Sequence, residues 1–237
     1  MSNNWEMVIG LEVHAQLKTT SKLFSSSPNL FGSEPNENVN FIDSGMPGML
    51  PVLNWACIEK AIKTGFALNF TINKHSVFER KNYFYPDLPQ GYQISQFEFP
   101  ILSEGYLDID QPDGSTKKIR IERAHLEQDA GKSIHDIDPK FSFIDLNRVG
   151  TPLLEIVSYP DLSSADDVVN YMSSLRQTLM YIDVCDGNMQ EGSLRADVNL
   201  SVRKPGGELG TRCEIKNLNS FKFIRQAIEF EFQRQIE

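Results

Sequence analysis

Trp5-Glu6-Met7-Val8-Ile9-Gly10-Leu11-Glu12-Val13-His14-Ala15-Gln16-Leu17-Lys18 decides how the rest of this chain is read. Trp5, Met7, Ile9, Leu11, Val13, Ala15 and Leu17 form one set of side chains, and Glu6, Val8, Gly10, Glu12, His14, Gln16 and Lys18 the other. A period of two this long specifies a β-strand with one packed face. Glu12 and His14 then project side by side from the opposite face. A carboxylate beside an imidazole suits a metal or an acid/base pair. It suits an ordinary solvated strand face equally well.

The chain has 237 residues, 40% of them hydrophobic, with 15 Phe. That allows one large domain, or one and a piece, with a substantial core. It has no apolar run long enough for a membrane span, and its polar, acidic start is neither a signal peptide nor a transit sequence. Cys57, Cys185 and Cys213 are odd in number and far apart, which points to reduced thiols in a cytoplasmic protein. The net charge of −9 argues against a surface that grips nucleic acid indiscriminately, and leaves room for a local pocket for one RNA end.

Helical spacing predicts three helices. The first covers 54–69, with Asn54 as N-cap. The second runs from a Ser163 or Ser164 cap to Ile182, with Asp166 and Asp167 in its first turn. The third starts near Asn219 or Ser220 and continues to Glu237 without a stop signal. Strands are expected at 5–18, 76–80, 105–110, 117–124, 140–146, 153–158, 193–203 and 211–216. The fold class is therefore α+β, a large and mostly antiparallel sheet with flanking helices. Residues 1–218 form the expected main domain, and 219–237 begin a C-terminal helix that the chain cuts short. The Ser-, Pro- and Asn-rich segment 25–40 reads as a long loop, mobile unless something orders it.

Four further clusters could carry chemistry. In Gly192-Ser193-Leu194-Arg195-Ala196-Asp197-Val198-Asn199-Leu200-Ser201-Val202-Arg203, the residues Arg195, Asp197, Asn199, Ser201 and Arg203 share a face. Pairing this polar set with Arg212, Glu214 and Lys216 would set Arg203 opposite Arg212, Ser201 opposite Glu214 and Asn199 opposite Lys216. Opposed arginines repel, so such a floor suits a polyanion better than a plain structural sheet. In Arg123-Ala124-His125-Leu126-Glu127-Gln128-Asp129-Ala130-Gly131-Lys132-Ser133, the ending resembles a P-loop, but Leu126 stands where that motif needs glycine. What remains is a strand end running into His125, Glu127, Asp129 and Lys132. Phe143 to Val157 reads as two strands around a Gly/Pro corner, with Asp145, Arg148 and Glu155 nearby. Arg80-Lys81-Asn82-Tyr83-Phe84-Tyr85-Pro86 mixes basic and aromatic residues that could stack a base or simply pack.

In this order, these stretches resemble the GatB family, one of the two large subunits of the glutamyl/aspartyl-tRNA amidotransferases. The likeness runs through Trp5 to Phe24, Gly48 to Asn54, Arg80 to Gln96, Arg123 to Ser133, Asp145 to Val157 and Gly192 to Phe221, the last including Lys216-Asn217-Leu218-Asn219-Ser220. It implies a glutamine-synthetase-like cradle that uses ATP to phosphorylate the side-chain carboxylate of a misacylated tRNA. Ammonia from a partner amidase subunit displaces the phosphate, and a third, small subunit ties the two large ones together. The resemblance also implies Glu12, His14, Glu127 and Glu214 as ligands of Mg²⁺, with Mn²⁺ suited by the imidazole. Arg148, Arg195 and Arg203 become candidates for phosphate or carboxylate recognition. Lys132 and Lys216 become candidate nucleotide contacts, and Asp197 and Asn199 would orient the nucleotide or the metal ligands. Where many members hold zinc with four cysteines, this chain has Ser25, Ser27, Asn40 and Asp43, so no structural zinc is expected. The domains that grip the tRNA body in full-length members lie beyond residue 237. Two other readings remain: a catalytically silent scaffold for the amidase subunit, and a freestanding amide ligase of small molecules.

Overall fold

The computed structural model describes residues 4–237. In chain order its elements are β1 (Glu6–Gln16), α1 (Trp55–Ala67), β2 (Thr71–Ile72), β3 (Glu79–Asn82), β4 (Tyr92–Ser95), β5 (Leu102–Asp110) and β6 (Thr116–Gln128). There follow β7 (Lys132–Asp138), β8 (Phe141–Asp145), β9 (Pro152–Ser158), α2 (Ala165–Tyr181), β10 (Leu194–Arg203), β11 (Cys213–Leu218) and α3 (Phe221–Ile236). Seven strands make one sheet in the order β11-β10-β1-β9-β6-β5-β2. Every neighbouring pair in it is antiparallel. The β3–β4 and β7–β8 hairpins stand apart as small sheets.

The alternation in β1 sorts its side chains as its period requires. Ile9, Leu11, Val13 and Ala15 are buried in one core with Ala124 and Leu126 of β6, Leu154 and Ile156 of β9, and the alternate residues Leu194 to Val202 of β10. The helices cover that face, contributing Cys57 and Ala61 from α1, Val168, Tyr171, Met172, Leu175 and Leu179 from α2, and Ile224 and Ile228 from α3. Each helix starts on a side-chain cap that satisfies an otherwise orphaned N–H. Asn54 accepts from Ala56 N, Ser164 from Asp167 N and Ser220 from Phe223 N. Among the described residues no helix is long and apolar enough to cross a membrane.

Several expectations need correction. β2, β4 and β7 are additional strands, and β3 lies at 79–82 instead of 76–80. β6 runs on to Gln128, so His125 and Glu127 belong to a central strand and not to a loop beyond it. The β10–β11 register is also shifted by two residues: Asn199 lies opposite Glu214 and Leu200 opposite Cys213. The faces survive, because a shift of two preserves the side-chain parity. Arg203 does not oppose Arg212. It faces Glu6 on β1, with Nε 3.0 Å from Oε2, and so is neutralised.

The segment 25–40 is tied down. The Lys22 ammonium is fully buried, donating to Asn38 O at 2.7 Å and lying 3.3 Å from Asp43 Oδ2. Ser25 and Ser27 donate their hydroxyls to the two oxygens of Asp43 (2.8 and 2.6 Å), and Asn40 N reaches the same carboxylate at 3.0 Å. Asn36 and Asn38 then bond to residues 144–147. A buried ion pair holds when further hydrogen bonds support it, and here Asn38 O supports the ammonium while Ser25, Ser27 and Asn40 support the carboxylate.

Candidate functional site

The uncovered face of the sheet carries a row of polar residues, one from each of four adjacent strands. His125 of β6 pairs with Glu155 of β9, Glu155 with His14 of β1, and His14 with Arg195 of β10. Neighbouring strands lie about 4.8 Å apart, so side chains in such a row touch. A second row, one step along, holds Arg123, Val157, Glu12 and Asp197. Of these residues, all but Arg195 and Val157 floor a cleft of about 500 Å³. The β3–β4 hairpin forms one wall with Arg80, Lys81, Gln93 and Ser95, and Lys216 stands on the other.

His14 Nε2 lies 3.3 Å from Glu155 Oε2 and 3.6 Å from Glu127 Oε1. His125 Nε2 lies 3.4 Å from Glu155 Oε2 and 3.8 Å from Glu127 Oε2. Burial opposes charge on His125, but the hydrogen bonds and charges of Glu127 and Glu155 outweigh it and lift its pKa to about 9. His14 moves up as well: burial works against it, and Glu155 and then Glu127 overcome that. Burial alone would raise the Glu155 carboxyl, yet the two imidazoles hold it well below the usual carboxylate range.

One ligand atom each from His14, Glu127 and Glu155 falls within 4.8 Å of the others. Two carboxylates that close repel by about 4 kcal/mol at an effective dielectric near 20, a repulsion that the imidazoles or a cation between them would relieve. An imidazole with two carboxylates fits a divalent ion, Mn²⁺ more readily than Mg²⁺. The surrounding atoms also suit a ligand site. Gln96 Nε2, Arg123 Nε, His125 Nδ1 and Asn199 Oδ1 are buried polar atoms without a protein partner, and the first three belong to residues lining the cleft.

The structure brings some of the expected site residues together and separates others. His14 and Glu127 meet, and Glu12 lines the same cleft, held by Asn199 Nδ2 at 3.0 Å. Asp197 lies beside Glu12, accepts from Asn217 N at 3.0 Å and sits 3.7 Å from Lys216 Nζ. Glu214 stands on the outer strand β11, where Lys216 occupies its carboxylate at 3.0 Å. Arg195 lies largely buried beside His14, and its NH1 and NH2 bond Asp129 at 3.0 and 3.3 Å. Arg148 donates to Ala130 O and Gly131 O (2.8 and 2.7 Å), and with Lys132 it lines a separate cavity. Arg203 lies beside Glu6, outside the cleft.

Glu155 and His125 are the cluster members missing from the ligand set expected on sequence. A signal for Glu155 exists. It is the lone charge in the otherwise apolar Pro152-Leu153-Leu154-Glu155-Ile156-Val157, and a charge there needs a partner. The place of His125 is hidden because the run of charges after Ala124 reads as the end of a strand.

An antiparallel sheet with helices on one face and a carboxylate–imidazole cleft on the other defines a class of α+β domain with a polar, ligand-sized cleft on its open sheet face. Within that class the chain belongs to the GatB/GatE catalytic domain family, whose model matches residues 7–237. It is 59% identical over 244 residues to the B subunit of the aspartyl/glutamyl-tRNA(Asn/Gln) amidotransferase of Dinoroseobacter shibae, covering 98% of this chain and 48% of that protein. The protein of the same name from Methylobacterium nodulans is 60% identical over 233 residues, with the same coverage. That from Rhodopseudomonas palustris strain BisA53 is 59% identical over 235 residues, covering 99% of this chain and 48% of that one. The chain thus spans about half the length of the curated relatives it matches.

Proposed function

We propose that this chain activates the side-chain carboxylate of glutamate or aspartate misacylated onto tRNA, as the ATP-using part of an aminoacyl-tRNA amidotransferase. The observation that carries this reading is the convergence of His14, Glu127 and Glu155 in a cleft flanked by Arg and Lys, in a chain of this family. A carboxylate resists ammonia because its oxygen is a poor leaving group. One carboxylate oxygen attacks the γ-phosphorus of ATP, and ADP leaves. Ammonia then attacks the acyl carbon, phosphate departs, and loss of a proton gives the amide.

Phosphoryl transfer depends on positioning and on neutralising charge at the phosphates. A divalent cation held by His14, Glu127 and Glu155, with Glu12 alongside, would supply much of that neutralisation when bound. Arg123 on the floor of the cleft, and Arg80 and Lys216 on its walls, supply the rest. Asn199 aims Glu12, and Glu214 with Asp197 holds Lys216 toward the cleft. Arg195, fixed by Asp129, sets a permanent positive charge beside His14 that works against protonation of the ring. The partners in this reading are an amidase subunit that releases ammonia, a small subunit that ties the complex together, and the acceptor end of the misacylated tRNA.

With its partner subunits, the full-length protein should release ADP only when glutamyl- or aspartyl-tRNA is present, and Glu127→Gln should abolish the release. Release without tRNA would indicate a small-molecule ligase. No release, together with no Mn²⁺ binding, would indicate a scaffold.

A further inference from the structure

The hairpin wall of the cleft carries an aromatic ring as well as cations. Phe97, in the connection between β4 and β5, lines the cleft and is 71% exposed. A lone exposed phenylalanine is ordinary. This one is held on both sides. Gln96 before it is buried, and its Oε1 accepts from Leu126 N of β6 at 3.1 Å. Glu98 after it donates its N–H to Glu79 Oε1 of β3 at 3.0 Å. The backbone at Phe97 is therefore fixed, and a ligand stacking on its ring meets a preorganised surface.

Arg123 stands next to that ring, its guanidinium carbon 5.7 Å from the ring centroid, with NH1 bonded to Glu122 Oε1. An aromatic face beside a guanidinium is the pairing on which heterocyclic bases stack. Arg123, His125 and Glu127 follow one another on one face of β6. At about 3.3 Å per residue, Arg123 and Glu127 lie about 13 Å apart along the strand. That is the scale of an extended nucleoside triphosphate, from its terminal phosphates to its base.

We propose that Phe97, flanked by Arg123, seats the base of a nucleoside triphosphate whose phosphates point along β6 toward His14, Glu127 and Glu155. The proposal rests on the nucleotide-dependent reading of the cleft given above. It adds a direction to the ligand and assigns its base to the loop between β4 and β5.

The test measures equilibrium binding, with Mn²⁺, of the β,γ-imido analogue of ATP and of inorganic tripolyphosphate to the full-length protein that carries this chain. Phe97→Ala should weaken the analogue about tenfold or more and leave tripolyphosphate unchanged, since stacking needs a base. Phe97→Trp should retain the analogue. Phe97 is exposed, so thermal melting of both variants should match the parent. An unchanged affinity for the analogue in Phe97→Ala, or equal weakening of both ligands, overturns the base seat. If Phe97→Ala spares the analogue but weakens an oligonucleotide ending in adenosine, the ring serves an RNA end and the assignment is likewise overturned. Glu127→Gln should weaken both phosphate ligands. If it weakens neither, the reading of the cleft itself fails, whatever Phe97 does.

Discussion

Oε2 of Glu155 lies 3.3 Å from Nε2 of His14, its cross-strand partner on β1, and the same oxygen is 3.4 Å from His125 on the strand beyond. One carboxylate on β9 thus sits between two imidazoles, and Glu127 closes the group from β6.

Glu155→Gln should weaken Mn²⁺ binding by at least about tenfold, because it removes a charged ligand and leaves an amide that both imidazoles meet poorly. Titration calorimetry checks this, with circular dichroism to confirm the fold. Unaltered affinity would remove Glu155 from the cation site.

Cation binding should strengthen from about pH 6 to about pH 9 and release protons, because the imidazoles are held protonated by the same carboxylates the cation needs. Without the cation, stability should move the other way. The folded pKa of His125, about 9, exceeds its ordinary 6.5, so its contribution is complete below 6.5 and disappears as pH rises through 9. Glu155 is depressed below its ordinary 4.5, so its contribution is present above 4.5 and falls away in acid. Denaturant midpoints with a chelator should therefore peak between those values, and decline by on the order of 3 kcal/mol toward alkaline pH. His125→Gln should reduce the alkaline decline to the part that His14, also raised, contributes. An undiminished decline in that variant would point to another group.

Asp43→Ala should destabilise the chain by about 3–5 kcal/mol, since it leaves the Lys22 ammonium buried with no counter-charge. Burial already pulls the Lys22 pKa down, and Asp43 pulls it back. Urea unfolding should also show Lys22→Met/Asp43→Leu recovering much of the loss. A single variant as stable as the parent would mean that the knot of Ser25, Ser27, Asn40 and Asp43 does not hold the 25–40 segment.

Arg203→Ala should leave both Mn²⁺ and nucleotide affinity unchanged and cost no more than about 1 kcal/mol, because its half-exposed pair with Glu6 lies away from the cleft. A large loss of nucleotide affinity would restore it to the site.

The amino-acid sequence determined much of this by itself. The alternation in β1 chose which side chains face the helices, and Asn54, Ser163 or Ser164, and Asn219 or Ser220 marked the helix starts, which the structure places at Asn54, Ser164 and Ser220. His14 and Asn199 could be assigned to polar strand faces without coordinates. These features are local: a period of two or of 3.6, or a side-chain oxygen over the first turn, is encoded within a few residues. Which strands are neighbours, and in what register, is not local. The sheet sets Asn199 against Glu214 instead of Lys216, and strand order brings Glu155 between His14 and His125. Only the tertiary structure decided the cluster of His14, Glu127 and Glu155, because its members come from strands far apart in the chain, and their meeting depends on the pairing of the whole sheet.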